Sequence, residues 1–180
     1  MKNQNTKKLA YAALFLALCL VLPMLTGQIP QIGSMLLPMH IPVLLCGLVC
    51  GWQYGAAVGF VAPLLRSLLF GMPPMYPVAI AMAFELLTYG LVIGLVYRRM
   101  AQKGAAGVYA ALLTAMVAGR LVWGVAEVVL LGFGGKAFTA QAFLAGALLN
   151  AVPGIIGQLV LIPAVMAALQ KAGAVKEYAE

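Results

Sequence analysis

The sequence predicts an all-α integral membrane protein, a single bundle of six transmembrane helices with both termini cytoplasmic. Composition is the first reason: of 180 residues, 64% are hydrophobic and only 8% charged, where soluble domains carry roughly 25% charged residues. Mean hydropathy is correspondingly high, at +1.05. The second reason is spacing. A spanning helix needs about 20 mostly apolar residues, and Gly-, Pro- and charge-rich breaks divide the chain into runs of about that size. Residues 1–180 form one domain in this reading, with no room for an appended soluble unit.

The first span covers 8–25. Lysines precede it, and it meets Pro23 and Thr26-Gly27 rather than a small-x-small cleavage site, so a retained helix is expected rather than a signal peptide. Residues 26–37 are rich in Gly, Gln, Pro and Ser and cannot form a regular lipid-facing helix. The second span, 38–51, is short and carries Pro42, so it is expected to be tilted, kinked or shielded by neighbours. The third covers 52–70 and stops at Gly71-Met72-Pro73-Pro74. The fourth, 76–97, ends at Arg98-Arg99. The fifth covers 105–131 and gives way to Gly132-Phe133-Gly134-Gly135-Lys136. The sixth, 139–169, is long enough to tilt or to bend at Pro153 and Pro163.

Charge placement sets the topology. The net charge is +7, but the basic residues flank the spans, which argues against nucleic acid as a partner. Lys2, Lys7 and Lys8 start the chain, Arg98, Arg99 and Lys103 share one connector, and Lys171 and Lys176 end it. The positive-inside rule puts these groups in the cytoplasm, and an even number of spans agrees. The connectors 26–37, 71–75 and 132–138 then lie outside.

Small residues recur at four-residue spacing. Gly47, Gly51, Gly55 and Gly59 form one series, Gly90 and Gly94 another, and Ala13 and Ala17 a third. Such faces let helices approach closely, either within the bundle or, for Ala13 and Ala17, against a partner membrane protein. Cys19, Cys46 and Cys50 have no histidine or further cysteine at zinc-site spacing and read as packing residues.

Four ionisable groups interrupt the apolar runs: Arg66, Glu85, Arg120 and Glu127. Each costs at least ~2.5 kcal/mol in hydrocarbon even on a lenient scale, and such residues mark sites or pathways. At about 1.5 Å rise per residue, Arg66 and Glu127 lie at one depth near the outer edge. Glu85 lies deeper, with Arg120 and Asn150 near mid-membrane. Arg120, Trp123 and Glu127 share a helix face, offering a cation, an aromatic plate and an anion to an organic molecule. The competing reading pairs Arg66 with Glu127 and Arg120 with Glu85 as structural salt bridges. Tyr76 is a candidate pocket wall, as is Tyr89, though both also suit plain packing. Gln158 reads as interhelical glue. His40 is placed at the outer mouth, near Met35 and Met39, as a hydrogen-bonding residue; a thioether and imidazole cluster also suits copper, but no metal site is assigned.

The sequence holds no phosphate-binding loop, no His-Glu-x-x-His and no Gly-x-Ser-x-Gly. Nothing nominates an enzyme, and no inverted repeat of the kind many secondary carriers show is evident.

Size, span count and termini resemble the substrate-binding S component of energy-coupling factor (ECF) vitamin transporters, over essentially the whole chain. Ala13-x-x-x-Ala17 looks like the small-residue motif by which such subunits dock. The stretch Leu37-Pro38-Met39-His40-Ile41-Pro42 through Gly51, with Leu64-Leu65-Arg66-Ser67-Leu68-Leu69-Phe70-Gly71, looks like the second and third spans of the riboflavin/pantothenate/folate-type branch. The Met-x-His amino terminus of the nickel/cobalt branch is missing, since the chain starts Met1-Lys2-Asn3. The resemblance implies a bacterial plasma-membrane subunit that captures a vitamin from outside, closes its outer loops, docks on a transmembrane coupling subunit and topples. Two ATPase subunits would hydrolyse ATP, with no cofactor on this chain. Arginines suit a carboxylate or phosphate, and the glutamates and Asn150 suit hydroxyl or amide groups. Pantothenate is the first choice on that basis, with riboflavin, a folate or a thiamine precursor open. The alternative function is a self-sufficient secondary carrier or channel for a small organic solute.

Overall fold

The structure is a computed structural model that describes residues 2–26, 35–100, 104–133, 139–144 and 151–173. Helices are the only regular secondary structure among the described residues, which contain no strand. In chain order the α-helices are α1 (Lys2–Val21), α2 (His40–Cys50), α3 (Trp52–Phe70), α4 (Ile80–Met100), α5 (Ala105–Phe133), α6 (Ala140–Leu144) and α7 (Val152–Lys171). A 3-10 turn, Leu22–Thr26, extends α1, and a π turn, Met75–Ala79, leads into α4. Among the described residues, five helices are long and apolar enough to cross a membrane: Gln4–Leu25, Trp52–Phe70, Met75–Met100, Ala105–Phe133 and Val152–Lys171.

The second expected span is the short helix α2, eleven residues long, which at 1.5 Å per residue reaches only about 16 Å. It sits inside the bundle, where all its residues except Ile41 and Val49 are buried. This explains a sequence that is apolar on every side: a helix with protein around it has no lipid or solvent face. It packs against α1, α3, α4 and α7. Gly51 joins α2 to α3 at φ 96°, a backbone region that only glycine enters cheaply.

The four-residue glycine series serves packing within the bundle. A Cβ on Gly90 would lie 2.1 Å from the Gly55 carbonyl group, and one on Gly59 would lie 2.2 Å from the Leu86 oxygen. On Gly47 it would meet the Gly90 oxygen at 2.8 Å. Thus α2, α3 and α4 touch backbone to backbone, the close approach expected of small-residue faces.

The long helix α5 spans 29 residues, or about 43 Å, more than the ~30 Å hydrocarbon core. Leu113, Val117, Leu121, Val125 and Val128 form its exposed apolar stripe, while Val108, Leu112, Ala115, Gly119 and Glu127 are buried. Leucine and valine facing outward is the pattern of a lipid-contacting helix.

Within the sixth expected span the described residues hold α6 and α7, and 145–150 lie outside them. Pro153, expected to bend one long helix, instead lies in the first turn of α7. Proline fits there because the first-turn N–H groups have no intrahelical acceptor.

Candidate functional site

Glu85 is the centre of the buried polar structure. It lies on α4, 2% exposed, and faces both α2 and α5. Arg120 of α5 brings Nη1 to 3.0 Å from Glu85 Oε1. His40, the first residue of α2, brings Nε2 to 3.5 Å from the same oxygen. Tyr89, one turn beyond Glu85 on the same helix face, sets its ring edge-on to His40 at 5.3 Å between centroids.

Local sequence makes this convergence possible. Gly119 precedes Arg120, and a Cβ there would lie 2.5 Å from the Tyr89 ring. Only a bare backbone lets α5 close on Tyr89 and deliver Arg120 to Glu85. On the next turn, the Trp123 ring is 6.0 Å from the Arg120 guanidinium carbon, within cation–π range. Trp123 in turn stacks on Phe143 of α6, with centroids 6.1 Å apart and planes at 27°. Gly124 leaves room for that ring, since its Cβ would lie 2.4 Å from Phe143.

The remaining expected site residues divide. Arg66 is buried, but it serves α1: Nη1 donates to the Leu20 carbonyl at 2.5 Å, and the guanidinium lies 5.3 Å from its own helix's Phe70 ring. Glu127 is buried on the same helix as Arg120. Among the described residues no salt bridge joins it to Arg66, so the pairing expected from equal depth is not formed there. Tyr76 is half exposed, and its hydroxyl donates to the Leu130 carbonyl, tying the π turn to α5. Asn150 lies outside the described residues. His40, expected at the outer mouth, is 1% exposed. Ala13 and Ala17 are exposed on α1. Among the described residues no cluster of three His, Cys, Asp or Glu side chains stands ready for a metal.

Sequence reasoning missed Gly119 and Phe143 and left Tyr89 undecided. For Tyr89 a signal existed: it stands four residues after Glu85, on the same helix face. Gly119 and Phe143 act through helices far apart in sequence, and no local pattern marks them.

The cluster is electrostatically expensive. Taking a carboxylate and a guanidinium out of water costs several kcal/mol per ion, and their attraction repays it only with good geometry and satisfied hydrogen bonds. Here His40 Nδ1 and Arg120 Nε and Nη2 are buried with no hydrogen-bond partner. An unmade buried hydrogen bond costs about 1–3 kcal/mol. A scaffold needing only stability gains nothing from such an arrangement, whereas a binding site uses the free donors and acceptors.

Comparison with known proteins gives one family. The model of the family described as "ECF transporter, substrate-specific component" matches residues 7–169, nearly the whole chain. No curated protein and no solved structure matches.

Proposed function

We propose the following role for this chain, which belongs to the family of ECF transporter substrate-specific components: it captures a small water-soluble vitamin or vitamin precursor from outside the cell and hands it to a coupling module. It is a multi-pass membrane protein, and its family implies a substrate and a coupling and ATPase module as partners. In this reading both termini are cytoplasmic, and the ligand is held at the His40–Glu85–Arg120 cluster with Trp123 beside it. The exposed Ala13 and Ala17 face docks on the transmembrane coupling subunit, and two separate ATPase subunits supply the energy. Pantothenate, with a carboxylate, hydroxyls and an amide, is the first candidate ligand.

The observation that carries this reading is the buried cluster's set of unpartnered donors and acceptors. Polar groups inside a membrane bundle mark a site or pathway by default. The test uses purified protein in detergent and intact cells. Calorimetric titration is expected to find a vitamin bound tightly, and uptake is expected only when the coupling module is co-expressed. Ala13→Trp and Ala17→Trp are expected to block uptake and leave binding intact. Concentrative uptake by the chain alone in vesicles would sink the module dependence and favour a self-sufficient carrier.

A further inference from the structure

Arg120 offers the ligand one particular edge. A guanidinium carries its donors in a planar fork with two usable sides. One side is engaged, since Nη1 faces Glu85 at 3.0 Å. The other side, Nε with Nη2, is buried and has no hydrogen-bond partner. These two N–H groups point in parallel, the geometry that matches the two oxygens of a single acid group. The Arg120 side chain as a whole is less enclosed than that of Glu85, 13% exposed against 2%, while the unpartnered edge itself is buried.

Charge decides what kind of acid fits. Glu85 already balances Arg120, and Glu127 adds a second buried carboxylate on α5. A dianion such as a phosphate monoester would bring two negative charges against one guanidinium already shared with Glu85, in a region of low dielectric where repulsion is strong. A planar monoanion brings one. Arg66 directs its Nη1 to the Leu20 carbonyl, and among the described residues no salt bridge joins it to Glu85. Beside the free edge stands the Trp123 ring, stacked on Phe143, a flat apolar wall for the rest of the molecule. His40, whose Nε2 faces Glu85, keeps Nδ1 unpartnered and able to meet a hydroxyl or amide group.

We propose that the ligand is a monoanionic carboxylic acid, gripped side-on by Nε and Nη2 of Arg120, with its body against Trp123. This rests on the binding-subunit reading above and narrows it: vitamins without a carboxylate, riboflavin and thiamine among them, are excluded as the cognate ligand.

The test is a matched-pair titration on the intact purified protein. The probes are pantothenate against pantothenol, biotin against its primary amide, and nicotinate against nicotinamide, with folate, riboflavin and thiamine alongside. The tight ligand is expected to be an acid. Its neutral counterpart is expected to bind about 10- to 100-fold more weakly, the equivalent of losing a charge-assisted hydrogen-bonded pair. Arg120→Lys keeps the charge and loses the fork, and is expected to cost at least about 10-fold. Should that variant fail to fold, the wild-type acid and neutral pair carries the test alone. Native mass spectrometry reads the same point from whatever small molecule co-purifies: an acid supports the inference and a carboxylate-free molecule overturns it. Tight binding of riboflavin or thiamine, or equal binding of acid and neutral partner, overturns the carboxylate grip while the binding-subunit reading stands. No binding across the panel together with no co-purifying molecule overturns both.

Discussion

The helix α4 is shared by two seams built in opposite ways. Toward α2 and α3 it presents Gly90 and Gly94, and the helices meet backbone to backbone. Toward α5 and the start of α2 it presents Glu85 and Tyr89, which meet a guanidinium and an imidazole. The glycine seam gains dispersion from dense contact and leaves few polar groups to satisfy. The charged seam takes two ions out of solvent and leaves donors unused. One seam therefore fixes where α4 stands, and the other spends part of that stability on a site. The glycine seam can hold α4 in place only if it is intolerant of added volume, and the charged seam is a site only if its groups matter more for ligand than for fold.

The largest effect is expected at Gly90. A leucine there would place its Cβ 2.1 Å from the Gly55 backbone, and backbone cannot step aside as a flexible side chain does. Overpacking typically costs about 1–3 kcal/mol and more where nothing yields. Gly90→Leu is expected to abolish the monodisperse peak in detergent size-exclusion chromatography. A variant that elutes and melts like wild type would show that this seam is looser than its geometry and would remove the basis for the contrast.

The next effect belongs to the charged seam. Glu85→Gln leaves the Arg120 cation without its counter-charge, and breaking a buried pair from one side costs about 3–5 kcal/mol. Replacing both, as Glu85→Gln with Arg120→Met, is expected to recover much of that loss in reversible unfolding while abolishing ligand binding. Recovery of stability without recovery of binding separates site from scaffold. A double variant as unstable as the single one would make the cluster a structural element.

The two seams also differed in how far the sequence could be read. The glycine series and the apolar runs are local patterns, so the helices α1 to α5 fall close to the expected spans. The shortness of the second span was legible, but tilting, kinking and shielding all suited it, and the enclosure of α2 by its neighbours is visible only in the fold. Glu85 and Arg120 stand out as hydropathy defects, and their pairing follows from similar depth. Depth fixes only one coordinate, however. Arg66 and Glu127 share a depth, but Arg66 turns toward α1 and bonds the Leu20 carbonyl. Direction around a helix depends on neighbours that one span cannot reveal. His40 was placed by its neighbours Met35 and Met39, which say nothing of direction, and α2, beginning at His40, carries its side chain inward. In the sixth span, hydropathy does not distinguish a proline that bends a helix from one in a helix's first turn, where Pro153 lies.

The smallest effect is expected at Arg66, and it tests the distinction between the two arginines. Its reason for being buried lies in α1. The 3-10 turn after Val21 contains Pro23, which has no N–H to offer the Leu20 carbonyl three residues back. Arg66 Nη1 supplies the donor instead, at 2.5 Å, and the Phe70 ring lies under the guanidinium. Arg66→Met keeps a long apolar stem and removes this donor, so a loss of about 1–3 kcal/mol is expected. Ligand affinity is expected to change by less than about 3-fold, because RT ln 3 is a small fraction of one charge-assisted hydrogen bond. Titration of the same acid against Arg66→Met and Arg120→Lys makes the comparison direct. If the two variants lose affinity alike, Arg66 contributes to the ligand's electrostatic field and the site extends to α1. If only Arg120→Lys loses it, the two buried arginines do different work, one joining helices and the other holding the acid.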